Sequence, residues 1–334
     1  MGCAHGVARG AELAPLRAQR AATHYHAGRL ARILHDAATG ALPEPVDLVA
    51  VSMGGPPGWA LWEATQRAEG AGLLVLAPAG DAMPTVVWPA RFGSTIAVSA
   101  IGPTCRPWPA AAGGAAVDVA APGEAVWHAD VAAGGRDLNE PGSGTALATA
   151  VAGGAAALWL RRWQDGSALA ELRASGGLTA AFRDALRRSA WTPARPPRGT
   201  GCAGSRDWDR GFAPGILDAA ALVARAPRAR GVPPAAPGLR DLPLFRSVYP
   251  EGEGARAAAD YRRLFALAPD ADLERVAHFE AEVLHHYAMT REVTEALDAA
   301  LAPGASDAAF ADARRALLRQ GLSRDLRRAL DPED

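Results

Sequence analysis

One run constrains this chain more than any other: Gly142-Ser143-Gly144-Thr145-Ala146-Leu147-Ala148-Thr149-Ala150-Val151-Ala152-Gly153-Gly154-Ala155-Ala156-Ala157-Leu158. A Gly-Ser-Gly turn leads into small apolar residues, and no charge follows until Arg161. The pattern predicts a loop feeding a helix buried on all sides. Two adjacent glycines would each cost such a helix about 1 kcal/mol against alanine, so close backbone packing is expected at Gly153 and Gly154. Residues 144–160 are mostly Ala, Gly and Thr, too weakly hydrophobic to act as a membrane span, and a buried helix is the better reading.

The chain before this run alternates helical windows with continuous apolar runs. Residues 6–18 read as a glycine turn and a short strand, and 24–40 as an amphipathic helix stopped by Gly40. Residues 46–53 form an apolar strand ending at Gly54-Gly55, 58–70 a helix, and 72–77 another apolar run. Short strands are expected at 95–100 and 116–121, a helix at 178–190, and a last helix opened by residues 211–218 and ending near Arg225. Strands that are apolar throughout, alternating with helices, predict an α/β fold: a parallel sheet covered by helices on both faces.

Beyond this the composition changes. Residues 226–243 are proline-rich and aperiodic and read as a semi-extended linker. Windows 254–268, 271–302 and 306–329 are rich in Ala, Leu, Arg and Glu at helical spacing. The expected domains are 1–225, the linker 226–243, and an all-α region over 244–334. With 334 residues there is room for one large domain and a smaller one.

Charge points to no polyanion: 35 basic residues balance 36 acidic ones, which argues against nucleic acid as a partner. All the basic residues are arginine, a bias that fits a GC-rich bacterial coding sequence. Cys3, Cys105 and Cys202 are odd in number and far apart, so neither a disulfide framework nor a metal site can be read from them. The start, Met1-Gly2-Cys3-Ala4-His5-Gly6, lacks the basic and apolar regions of a secretion signal. As written the chain reads as cytoplasmic, with secretion open if the true start lies upstream.

Six segments in order carry a family resemblance: Gly6-Val7-Ala8-Arg9-Gly10-Ala11-Glu12-Leu13, Val49-Ala50-Val51-Ser52-Met53-Gly54-Gly55, Leu74-Val75-Leu76-Ala77-Pro78-Ala79-Gly80-Asp81, Trp88-Pro89-Ala90, Val117-Asp118-Val119-Ala120-Ala121-Pro122-Gly123 and Gly144-Thr145 with its Ala/Gly helix. Together they resemble the later two-thirds of the catalytic domain of the subtilisin-like serine peptidases, the subtilases. The resemblance implies that fold, N-terminally incomplete here, with peptide or protein as substrate or ligand and no cofactor. It places Ser52, Met53 and Gly54 along the substrate cleft, Asp81 at the oxyanion-hole position and Ala146 at the nucleophile position. Asp207-Trp208-Asp209 resembles the family's structural finish.

The departures from the family bear on chemistry. Such a site needs a serine to attack the peptide carbonyl, a histidine to move the proton and an aspartate to orient it. Ala146 has no oxygen, and losing the serine of such a triad costs about 10⁶ in kcat. The family's aspartate and histidine motifs lie upstream of the segment that begins at Gly6, and His5 has no room for the histidine helix after it. At the oxyanion position, an ionised Asp81 offers no donor and a protonated one could donate only with a raised pKa; some members of the family carry aspartate there, so this departure alone would not abolish activity. Ser143 and Thr145 carry hydroxyls nearby, but neither holds the nucleophile position, and loop flexibility and helix capping are their ordinary roles. The expectation is a family member inactive as written, either degenerate or recorded from an internal methionine. The alternatives are a non-catalytic peptide-binding module holding extended peptides at the Ser52–Gly54 edge, or an unstable remnant.

Two further clusters have plainer readings. His278, Glu282, His285 and His286 lie at i, i+4, i+7 and i+8, and Glu282-x-x-His285 echoes a carboxylate-bridged metal motif. With one copy of the motif, a solvated helix face is expected. His24-Tyr25-His26 is expected at the surface, and Arg161-Arg162 and Arg187-Arg188 near helix C-termini, where they suit the helix dipole.

Overall fold

Apolar runs flanked by helices settle into a parallel sheet, because crossovers place helices over strands that water never reaches. The computed structural model describes residues 6–18, 27–55, 59–83, 86–114, 116–131, 137–196, 202, 212–228, 254–271, 273, 276 and 279–331. His5, His24-Tyr25-His26, the segment 207–209, the stretch 229–243 of the linker and His278 lie outside the described residues.

Strands β1 (Leu48–Ala50), β2 (Leu74–Pro78), β3 (Ile96–Ile101) and β4 (Val119–Pro122) form one four-stranded sheet in the order β1-β2-β3-β4. All three pairings are parallel, with Leu48 opposite Leu74, Leu76 opposite Ile96 and Val98 opposite Val119. Every residue of β2 and β3 is buried. Helix α1 (Gly28–Thr39) ends at Gly40 in the left-handed conformation, φ +70°, as its sequence predicts. Helix α2 (Trp59–Gly70) lies between β1 and β2 in the chain.

The small-residue run that follows Gly142-Ser143-Gly144 folds as helix α3 (Thr145–Trp163). Its Ala148, Ala152, Ala155, Ala156 and Trp159 share one core with Leu74, Leu76, Ile96, Val98, Val119 and Ala121 of the sheet. Helices α4 (Ser167–Ala174), α5 (Leu178–Ser189) and α6 (Ala219–Val223) add Leu169, Leu172, Phe182, Leu186 and Leu222 to it. One polar tie runs through this core. Buried Asp118 accepts the Ala97 N–H at 3.0 Å and the Arg183 Nε–H at 2.8 Å, while Arg183 Nη2 donates to the Gly93 and Thr95 carbonyls.

Several expectations are corrected. Helix α3 is not buried on all sides: Leu158 is 37% exposed, and Ala150 and Gly154 are half-buried, because the sheet covers a single face. Residues 11–18 form no strand, since none of the described strands pairs with them. The antiparallel hairpin of β5 (Val126–Val131) and β6 (Asp137–Gly142), with His128 opposite Glu140, was not foreseen. Neither was α4. Cys105 and Cys202 are joined by a disulfide across 97 residues, with Cα atoms 5.7 Å apart. Spacing alone could not show this, because the fold and not the sequence brings them together.

The chain divides into two compact units, Met1–Gly55 with Ala64–Ala235, and Pro56–Glu63 with Ala236–Asp334. In the second, described helices are α7 (Gly254–Leu264), α8 (Glu280–Met289), α9 (Arg291–Leu301), α10 (Asp307–Leu318) and α11 (Arg324–Leu330). In its interior Phe265 stacks on Phe279 and meets Tyr261 at a tilt of 59°, and the Tyr261 hydroxyl donates to the Val276 carbonyl at 3.0 Å.

Candidate functional site

All four parallel strands end on one edge of the sheet, where such sheets open crevices, and the chain beyond β2 and β4 meets the start of α3 there. The approach of α3 to β4 is tight. The Gly144 N–H donates to the Gly123 carbonyl at 2.8 Å. A side chain at Gly123 would meet Ala100 Cβ at 2.6 Å and the Gly144 carbonyl at 2.8 Å.

From β2 the chain continues through Ala79 and Gly80 to Asp81, whose carboxylate reaches the start of α3. Asp81 Oδ1 accepts the Thr145 N–H at 2.9 Å and the Thr145 hydroxyl at 2.6 Å. The same hydroxyl accepts the Gly80 N–H at 3.2 Å. Asp81 thus caps the helix from 64 residues away in sequence, where the first turn leaves backbone N–H groups without intrahelical partners and the dipole favours negative charge. A Cβ at Gly144 would stand 3.1 Å from Asp81 Oδ2. Ala146, half-buried, follows Thr145 with a methyl group.

The hydroxyls on either side are engaged. Ser143 Oγ accepts the Ala125 N–H at 3.0 Å and holds the base of the hairpin, where Ala125 has φ +53°. Thr145 is buried and bonded to Asp81.

On the other flank, Ser52 is exposed while Met53 and Gly54 are half-buried. Gly55 exchanges two backbone hydrogen bonds with Trp88, at 3.0 and 3.1 Å, and the Val87 N–H donates to the Ala79 carbonyl at 2.8 Å. Residues 87 and 88 therefore bridge the continuations of β1 and β2. The structure brings Asp81 beside Ala146 through Thr145, and brings Gly54 beside Gly80 through Val87, against which both glycines pack. Sequence reasoning passed over Val87 and His128. His128 lies over Gly142, where an added Cβ would stand 2.5 Å from its Cε1, and its Nδ1 is 3.3 Å from the Val126 carbonyl. Neither carries a motif, and the glycines they pack against, Gly54 and Gly80 for Val87 and Gly142 for His128, leave no local pattern in the sequence.

In the helical unit, Glu282 is not on a solvated face. It is 8% exposed and accepts the Ser323 N–H at 2.6 Å and the Ser323 hydroxyl at 2.7 Å. Ser323 in turn caps α11. Burial, with His285 adding to it and Glu282 opposing, holds His286 below the usual imidazole pKa.

Residues 1–205 match the subtilase family. The chain belongs to that family. Ser52, Asp81, Val87 and Ala146 all lie within the matched stretch of this subtilase, and helices α7 to α11 lie beyond it. Subtilisin DY of Bacillus licheniformis is 33% identical over 129 residues, which are 37% of this chain and 46% of that protein. The chain thus spans under half the length of the curated relative it matches. Among solved structures, the prenylagaramide maturation protease PagA is 22% identical, with 59% of this chain and 66% of that one covered at a TM-score of 0.43. Fervidolysin from Fervidobacterium pennivorans, a keratinolytic enzyme related to subtilisin, is 18% identical over 61% and 30%, with a TM-score of 0.46. A protease from Pseudoalteromonas arctica is 20% identical over 60% and 58%, with a TM-score of 0.47. None of the described helices of this subtilase is long and apolar enough to cross a membrane.

Proposed function

We propose that this subtilase holds extended peptides along Ser52–Gly54 and does not hydrolyse them. The observation that carries the reading is the bonding of Asp81. Acyl transfer needs a nucleophile oxygen and preorganised donors for the developing oxyanion. The start of α3 offers a methyl group at Ala146 and, beside it, a carboxylate already accepting two hydrogen bonds from Thr145. An acceptor in that place repels negative charge. What supports peptide binding is the membership of a peptidase family and the position of Ser52–Gly54 at the carboxyl end of an outer strand, where an extended segment adds by backbone pairing.

The test is hydrolysis and binding measured together. Wild-type protein should release no product from fluorogenic peptides, and Ala146→Ser alone should release none either, because a serine there still needs a histidine to take its proton and an aspartate to orient it, and neither motif is read in this sequence. Turnover by wild type that survives Ser143→Ala and Thr145→Val would remove the loss of activity from this reading. Saturable binding of extended peptides is expected; a flat titration across a peptide library would remove the binding.

A further inference from the structure

Across the sheet from Ser52–Gly54, the carboxyl ends of β3 and β4 run into a cavity of about 400 Å³, inside the range of about 300–1,000 Å³ in which small-ligand sites fall. Its walls are tied to one another through the backbone. The Gly123 N–H donates to the Ile101 carbonyl at 3.0 Å, the Leu217 N–H to the Ala120 carbonyl at 2.8 Å, and Trp191 and Ile216 exchange two bonds at 3.0 and 2.7 Å. The Cys105–Cys202 disulfide closes part of the wall. Ile101, Pro122, Ile216 and Leu217 give an apolar surface, and half-buried Trp191 adds an aromatic one. Among the described residues that line the cavity, Glu124 and Asp218 carry the only charges, and both are negative. A Cβ added at Gly102 would overlap Glu124 Oε2, so the glycine makes room for the carboxylate against the wall. None of the described residues donates a hydrogen bond to that half-buried carboxylate. Asp218 Oδ1 accepts the Ala221 N–H at 2.8 Å, and its second oxygen has no donor among the described residues.

We propose that this cavity takes the side chain of an arginine carried by a peptide chain. A carboxylate partly withdrawn from water and without a donor is short of hydrogen bonds, and a guanidinium supplies two at once in a planar fork. The same plane stacks on an indole face, where the ring attracts a cation. The apolar wall suits a methylene stem and does nothing for a bare ion. An ammonium fits less well, because it is a point charge with no fork and is more strongly hydrated. A neutral or anionic occupant would cover both carboxylates without pairing them. The cavity lies apart from Ser52–Gly54, and the proposal holds whether or not a peptide binds there.

The experiment titrates the full chain by calorimetry with a pentapeptide of glycines that carries arginine at its centre. Matched peptides carry lysine or citrulline, the latter keeping the shape of arginine without its charge, and methylguanidinium serves as the cation without a stem. The indole N–H resonance of Trp191, identified by its loss in Trp191→Phe, locates the binding. The arginine peptide should bind saturably and shift that resonance, the lysine peptide should bind more weakly, and the citrulline peptide should not bind. Glu124→Gln should weaken binding by roughly 10-fold or more, and Asp218→Asn, which keeps an acceptor for the Ala221 N–H, by a smaller factor. Affinity should fall as salt rises. Thermal melts matching wild type show that the variants fold; should one melt early, the other carries the comparison. No saturable binding of the arginine peptide, equal affinity for the citrulline peptide, unchanged affinity in both variants, or binding that leaves the Trp191 resonance unmoved would each overturn the proposal. Methylguanidinium bound as tightly as the arginine peptide would overturn the chain-borne occupant, since the stem would then contribute nothing.

Discussion

The paired glycines of α3 look alike in sequence and differ in what they touch. A Cβ at Gly153 would stand 3.4 Å from Ala50 Cβ, an ordinary contact, whereas one at Gly154 would stand 2.7 Å from Val7 Cβ and 3.5 Å from the Ala8 nitrogen. Gly153→Ala should therefore raise stability by up to about 1 kcal/mol, the difference in helix propensity. Gly154→Ala gains the same propensity, but must displace the segment at Val7 against an overpacking cost of about 1–3 kcal/mol, and should lower stability. Urea midpoints of the two variants, moving in opposite directions, check the pair. The sequence carried the need for a close approach at this point. It could not say which glycine serves it, because that depends on where a segment some 150 residues earlier crosses the helix.

At the scale of the element, α3 is anchored by a residue outside it. Replacing a capping oxygen typically costs about 1 kcal/mol, so Asp81→Ala should destabilise the protein by that order. Asp81→Asn keeps an acceptor for the Thr145 N–H and hydroxyl and loses only the charge–dipole part, about 0.3–1 kcal/mol. The ranking, with alanine worse than asparagine, is read from denaturation, and from amide exchange at Thr145. If the two variants were equally stable to wild type, the cap would carry no weight. Elements were legible where periodicity was long. Strand β1 shrank to three residues from the expected 46–53, because regular pairing with β2 reaches only Ala50 opposite Leu76. The window 306–329 became α10 and α11, the second begun by the Ser323 side chain. The site was legible to the same degree. The flanking motifs single out Asp81 and Ala146, but the hydrogen bonds that make Asp81 a helix cap are long-range and leave no local pattern.

For the whole molecule, the Cys105–Cys202 bond closes a loop whose ends are 97 residues apart, a length at which the loss of disordered-chain entropy is large. Cys202→Ser should lower stability by about 2–4 kcal/mol, and wild type treated with reductant should melt with the variant. With 3 cysteines and two of them bonded, thiol titration of unreduced, denatured protein should find one free thiol per chain.

What the sequence alone determined was the kind of fold and its family: apolar runs alternating with helical windows demand a covered parallel sheet, and six motifs in order name the subtilases. It also determined the absence of an oxygen at Ala146, since a residue's chemistry does not depend on its surroundings. The tertiary structure decided how that chemistry is deployed. Asp81 caps α3, Ser143 holds a hairpin, Val87 fills the gap between two glycines, and two distant cysteines meet. Each of these is a contact between residues far apart in the chain. Such contacts are set by how packed elements cross, and no local spacing in the sequence encodes them.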